Sequence, residues 1–571
     1  MHKTTPKSQR AATAALALAA IVSLTLATQA PAGVMLAIPG DPVALDTGKL
    51  SGTMLPDGVK AYLGVPFAAP PVRELRWHAP APLKPWNGVY TANATRAECV
   101  QTLRSASINH YFGEEDSAED CLYLNLWAPG NAKKGAKLPV VVWIYGGAFN
   151  VGSASSPIYA GQHLAQKGVI YVAINYRVGL FGFLAHPEMT QESGHHASGN
   201  WGFLDQVAGL QWVNRNIAAF GGDPANVTLV GQSAGSASIN NLQASPLAKG
   251  LFVRVVGMSG ATVAGGMGSS TALAISEQQG LKLQEALKAK NLAEMRTFSS
   301  DKVVAAEQQA GVRAGPGIDG YYLTEPVDNI FSAGKQNDVA VLAGSTANDI
   351  GNTPAILRAT TLADYQAIAR QSYGEKADEF LRLFPATTDA EARHQAAEAG
   401  RNSGMAQSAR NWAKAQTRTG KQPAWLFLVS RVQPFTPGVL FSDFNPATAG
   451  AYHMGDVPYW LGTYDAFNMF RTTRDWTPYD RELSTKMQDV IVAFARTGNP
   501  GTPAVKFTAY NPENETRVDF GDTVRNETLN SKAMDFLGAN TGGGRGGGGR
   551  GGSGGRGGSG GRGGAARPTT F

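Results

Sequence analysis

The stretch VGQSAGSAS, residues 230–238, sets Ser233 between Gly231 and Gly235. A serine hydroxyl attacks an acyl carbon at neutral pH only when a histidine takes its proton and an acid holds that histidine. Such a serine stands on a sharp turn between a strand and a helix, where small flanking residues keep side chains from colliding. Val227 to Val230 read as that strand and Ser236 onward as that helix, which sets Ser233 apart from an ordinary serine-rich turn. In this arrangement the acid and the histidine follow the serine along the chain. Seven of the nine histidines precede Ser233, so only His394 and His453 remain. His394 lies in DAEARHQAAEAGRN, a polar, alanine-rich helical stretch that reads as a solvated face. His453 lies in AGAYHMGDVPYWLG, a glycine-punctuated loop after the strand-like AWLFLVSRV, and is the expected base. The acid is expected at Asp349, on the loop of VLAGSTANDIGNT beyond a strand that ends near Ala343. Asp319, between glycines in GPGIDGYY, competes but reads better as turn chemistry. Acyl transfer also needs donors aimed at the developing oxyanion. YGGAF, residues 145–149, offers the backbone N–H groups of Gly147 and Ala148, and Ala234 after the serine offers a third.

These residues need a frame. LPVVVWIYGG (138–147) and GVIYVAINYR (168–177) are continuous apolar runs, as strands buried on both faces require. DQVAGLQWVNRNIAAF (205–220) sets Val207, Leu210, Val213 and Ile217 on one helical face. NVTLVGQSAGSASI then repeats strand, turn and helix. The pattern is α/β, a large mixed, mostly parallel sheet with helices on both faces.

The chain has 571 residues, 43% hydrophobic and 16% charged, which excludes overall disorder and allows a large core. Lys3, Lys7 and Arg10 precede an apolar run from Ala11 to Ala27, and Ala30-Pro31-Ala32 forms a small-x-small cleavage pattern. Residues 1–32 are therefore expected to be a signal peptide, cleaved after Ala30 or Ala32, and the protein to be secreted or periplasmic. The run falls short of the about 20 apolar residues that span a bilayer, and no later stretch is longer, so no transmembrane segment is expected. In an oxidising compartment Cys99 and Cys121 most simply form one disulfide, closing a loop of about 23 residues worth roughly 3 kcal/mol; two free thiols are the alternative. No third ligand lies at metal spacing, and no metal or organic cofactor is expected.

The formal net charge of +6 belongs to the ends of the chain. The leader carries three positive charges and Arg545, Arg550, Arg556, Arg562 and Arg567 carry five, which leaves the body between them at −2. Nothing in that body calls for a specific nucleic acid. Residues 542–571, almost all Gly and Arg, can bury nothing and are expected to be disordered. Such a tail can contact anionic surfaces or stay solvated, and its one aromatic, Phe571, argues against an RNA-binding role. The globular unit is expected at 33–541.

Over nearly all of residues 45–465 the sequence resembles the type-B carboxylesterase, or cholinesterase-like, family of α/β hydrolases. The resemblance rests on AYLGVPFAAPPVRELRW (61–77), EDCLYLNLW (119–127), YGGAF, NYRVGLFGFL (175–184), GNWGFLDQ (199–206), FGGDPANVTLVGQSAG (220–235) and HMGDVPYW (453–460). It implies an α/β-hydrolase fold with helical insertions around an active-site gorge, and a serine esterase acting on small aryl or alkyl carboxylic esters without a cofactor. It implies Ser233 as nucleophile, His453 as base, and Gly147, Ala148 and Ala234 as oxyanion donors. It also implies that Cys99 and Cys121 close the family's first disulfide loop, and that Arg76–Glu119 and Arg177–Asp205 are structural ion pairs. Three departures stand out. Asp349 occupies the place of the usual glutamate, Gln232 stands before the nucleophile where animal members often have Glu, and the cysteine loop has no tryptophan on which a quaternary ammonium could stack. Choline esters are therefore poor substrates in expectation, whereas the GGA form of the oxyanion loop resembles bacterial members that accept bulky alcohols. The same residues would serve an acyltransferase or a lactonase, and a binding protein without catalysis can be built on the same fold. Substrate-pocket walls are expected from 261–315 and 350–445, with Gly265, Gly266, Met267 and Gly268 giving room or flexibility.

Overall fold

The computed structural model describes residues 36–101, 116–268, 271–350, 355–441 and 445–540. The expected leader, the Gly/Arg tail and most of the cysteine loop lie outside the described residues. One 11-stranded sheet organises the molecule. Its strands are β1 (Thr53–Met54), β2 (Lys60–Pro66), β3 (Tyr123–Ala128), β4 (Leu138–Ile144), β5 (Ile170–Ile174), β6 (Gly222–Gln232), β7 (Arg254–Met258), β8 (Ala340–Thr346), β9 (Ala424–Val429), β10 (Thr516–Phe520) and β11 (Val524–Thr528). Across the sheet the order is β11-β10-β9-β8-β7-β6-β4-β5-β3-β2-β1. Every neighbouring pair from β10 to β5 is parallel, and the pairs outside that block are antiparallel. Winding reverses at β4, which lies between β5 and β6, and ligands bind at the carboxyl ends of the strands beside such a reversal.

The apolar runs form these central strands because both of their faces are covered. Four helices matter most: α1 (Trp201–Asn216), α2 (Ala234–Ala244), α3 (Met405–Thr419) and α4 (Pro478–Thr497). On β7 the Arg254 guanidinium donates to the Ala495 carbonyl of α4, while a Cβ on Gly257 would come 2.3 Å from the Trp412 ring of α3. Residues 254 and 257 point to opposite faces of a strand, so α3 and α4 lie on opposite sides of the sheet. On β9, Trp425 meets Phe494 of α4 at 5.8 Å between ring centroids.

Helix α1 starts at Trp201, four residues before the expected Asp205. Trp201, Phe203 and Leu204 are buried, and a Cβ on Gly202 would sit 2.3 Å from the Arg177 carbonyl, so tertiary packing recruits GNWGF into the helix. Asp205 there holds Arg177 through two side-chain bonds of 2.7 Å, with both residues buried. Arg76 likewise grips Glu119 with two bonds, at 2.7 and 2.5 Å. Cys99 and Cys121 are disulfide-bonded, with their Cα atoms 5.0 Å apart. Within 355–401, Tyr365, Phe380 and Phe384 pack with Phe536 and Leu537 from the helix Ser531–Asn540 into a second, smaller core. Much of that segment thus serves packing as well as any pocket wall. Among the described residues, no helix is long and apolar enough to cross a membrane.

Candidate active site

Strand β6 ends at Gln232 and α2 begins at Ala234, so Ser233 alone makes the turn. Its φ of 58° and ψ of −124° lie where a side chain is strained, at a cost of order 1–3 kcal/mol. The surroundings hold it there. Ser233 N–H donates to Met258 O at 2.8 Å, and its carbonyl accepts from Ala237 N–H at 3.0 Å. The flanking glycines are required sterically, since a Cβ on Gly235 would lie 2.0 Å from the Ile144 carbonyl and one on Gly231 would lie 2.8 Å from it. The helix therefore starts two residues before the expected Ser236, directly after the serine.

The loop after β4 approaches from the other side, and a Cβ on Gly146 would lie 2.8 Å from the Ser233 Cβ. Three successive residues there have positive φ, Gly147 at 116°, Ala148 at 56° and Phe149 at 64°. The Gly147 carbonyl accepts from Asn150 and Val151, which curls the loop on itself. Among the described residues, the N–H groups of Gly147 and Ala148 donate to no protein acceptor.

Asp349 follows β8 and His453 follows β9, both at carboxyl ends of adjacent strands. His453 Nδ1 lies 2.5 Å from Asp349 Oδ1. The carboxylate is fully buried and accepts from the backbone N–H of Thr346 at 3.1 Å and of Ile350 at 2.8 Å. The two loops are clamped together, because Asn348 N–H donates to Ala451 O at 3.0 Å and Ala451 N–H to Asn348 Oδ1 at 2.9 Å. His453 is also held from its far flank, where the Tyr452 hydroxyl donates to Gln433 and Gln433 donates to Gly455 O. A histidine with an acceptor-only carboxylate at Nδ1 carries its proton there and presents an unprotonated Nε2.

The competing residues fall elsewhere. Asp319 uses Oδ1 to accept from Tyr321 N–H at 3.1 Å and Leu323 N–H at 3.0 Å, a turn role, and burial pushes its carboxyl up. His394 sits exposed on the helix Asp389–Arg401.

Three features escaped the sequence reading. Ser233 Oγ points to Met267 Sδ at 3.8 Å, so the glycine-rich stretch around Met267 fills space above the serine and does not only leave room. His453 Nε2 pairs with the Gln232 side-chain amide at 3.0 Å. Asp456, three residues after His453, is fully buried, and burial followed by the charge of Asp349 pushes its carboxyl up to about 7. Its Oδ2 accepts from Trp460 Nε1 at 3.2 Å and its Oδ1 has no partner among the described residues, as suits a protonated acid. The spacing to His453 was the available signal for Asp456, but an Asp before Val-Pro-Tyr-Trp reads first as a helix start.

The carboxylesterase family model matches residues 40–537. The fumonisin B1 esterase of Sphingopyxis macrogoltabida is 34% identical over 454 residues, 77% of this chain and 79% of that protein. The para-nitrobenzyl esterase of Bacillus subtilis (strain 168) is 32% identical over 513 residues, 86% of this chain and 97% of that protein. A solved structure of a PNB esterase superposes with a TM-score of 0.69 at 30% identity, covering 87% of this chain and 99% of the other. By sequence, by fold and by length covered, the chain belongs to the carboxylesterase family and is a carboxylesterase with the α/β-hydrolase fold.

Proposed function

We propose that the protein hydrolyses small-molecule carboxylic esters in two steps through an acyl-enzyme on Ser233. The observation that carries this reading is the 2.5 Å contact of His453 Nδ1 with Asp349, on loops at the same end of the sheet as the strained serine. With Nδ1–H given to Asp349, Nε2 is free in protonation to take the Ser233 proton as Oγ attacks the ester carbonyl. Asp349 then stabilises the imidazolium. The N–H groups of Gly147, Ala148 and Ala234 receive the oxyanion, each contributing on the order of 3 kcal/mol when preorganised. His453 returns the proton to the leaving alcohol, and water repeats the sequence to release the acid. In the resting arrangement Oγ faces Met267 and Nε2 faces Gln232, and the Ser233–His453 bond forms as substrate seats, as catalytic bonds often tighten only in the complex.

Esters of aromatic alcohols are the first substrates to try, a choice supported by the name of the para-nitrobenzyl esterase relative. The leader directs export, where the Cys99–Cys121 bond is stable. The test is hydrolysis of p-nitrobenzyl, p-nitrophenyl and bulky alkyl esters by wild type and Ser233→Ala, with a metal chelator present. Turnover by wild type and a loss of at least about a thousandfold in the variant are expected. Turnover by both would place the nucleophile elsewhere.

A further inference from the structure

One contact at the site takes no part in the acyl transfer. Gln232 Nε2 lies 3.0 Å from His453 Nε2, the ring nitrogen that must accept the Ser233 proton. The Gln232 side chain is fully buried, and its Oε1 has no partner among the described residues. Its backbone is fixed, as the last residue of β6 paired to Met258 of β7.

We infer that Gln232 is a positioning residue that holds the base at rest, its amide N–H donating into the Nε2 lone pair of neutral His453 in competition with the Ser233 hydroxyl. The inference rests on the Ser233–His453–Asp349 reading. The polarity follows from the opposite edge of the ring. Asp349 can only accept, so Nδ1 is the protonated nitrogen, Nε2 is an acceptor, and its partner must present a donor. A donor on Nε2 stabilises neutral imidazole and opposes the imidazolium.

The charges facing the ring are unbalanced. Asp349 stands on one side and favours the cation, the buried Asp456 carboxyl beside it is held toward its protonated form, and the Tyr452 hydroxyl beyond them is bonded by Arg474 at 3.1 Å. Gln232 is neutral on the other side. A glutamate there would add a carboxylate against Nε2 and shift the ring toward the cation, so that the base is lost at a higher pH.

The experiment measures the pH dependence of kcat/KM with p-nitrophenyl butyrate for wild type, Gln232→Glu and Gln232→Leu. Alongside it, the low-field proton of His453 Nδ1–H is titrated by NMR in Ser233→Ala with and without Gln232→Glu, which needs no turnover. Gln232→Glu should move the acid limb up by about one pH unit or more, about a tenfold loss of rate below the limb, with a smaller change on the plateau. Gln232→Leu should move it in the same direction by less, because it removes the donor without adding a charge. The NMR titration should move with the kinetics. An acid limb and an NMR titration that stay at the wild-type position, whatever happens to the plateau, would overturn the inference. If no ester is turned over, the reading of the site fails separately, and the NMR arm still decides whether Gln232 governs the ring.

Discussion

At the scale of single residues, Asp456 makes the sharpest statement about pH. Its carboxyl is held up to about 7 by burial and by Asp349, against an ordinary value near 4 in the unfolded chain. The folded state therefore keeps a proton that the unfolded state releases, and stability falls as pH rises through the window from about 4 to 7. Asp456→Asn should be more stable than wild type at pH 8 by up to about 4 kcal/mol and nearly equal to it at pH 4. Urea unfolding at both pH values checks this, and parallel profiles would show that the acid is ionised in the fold. The strand-to-helix turn at Ser233 and the place of His453 on a loop after a strand were legible, because the order of residues along the chain left few choices. The place of Asp349 on the loop beyond a strand was legible as well, and its contact with His453 follows from that place. The contacts of Gln232 and Met267 were not, since both depend on which way a side chain turns in a crowded site.

At the scale of elements, the buried runs of β4, β5, β8 and β9 announced themselves because strands covered on both faces need no alternation. The starts of α1 and α2 did not. Each is set by close backbone approach, at Gly202 against Arg177 and at Gly235 against Ile144, which no local pattern reports. Gly235→Ala should therefore lower activity by more than a hundredfold and lower Tm, because backbone and not a flexible side chain blocks the Cβ; steady-state rates and thermal melts check this. Asp205→Ala should cost about 3–5 kcal/mol in chemical denaturation, since it leaves the buried Arg177 guanidinium uncompensated. A loss below about 1 kcal/mol would mean that water reaches Arg177. The resemblance to a known family identified this pair and Arg76–Glu119, which the spacing of charges alone does not reveal.

At the scale of the whole molecule, the division into a −2 body and basic ends was legible from composition, and the family match over 40–537 falls within the expected 33–541 unit. The small core joining 355–401 to the helix Ser531–Asn540 was not, because it pairs segments more than a hundred residues apart in the chain. Cys99→Ser/Cys121→Ser should lose roughly 3 kcal/mol of stability in non-reducing denaturation, the value for a loop of that length. Removing 542–571 should leave Tm and esterase rates unchanged, and weaker retention on an anionic resin would assign the tail its electrostatic role. Intact mass spectrometry after brief exposure to a fluorophosphonate, with peptide mapping of the adduct, tests for a covalent intermediate on Ser233 that depends on His453. One adduct per chain is expected, on the peptide containing Ser233, formed at least about a hundredfold more slowly in His453→Ala. An adduct on another residue, or equal rates in wild type and His453→Ala, would contradict it.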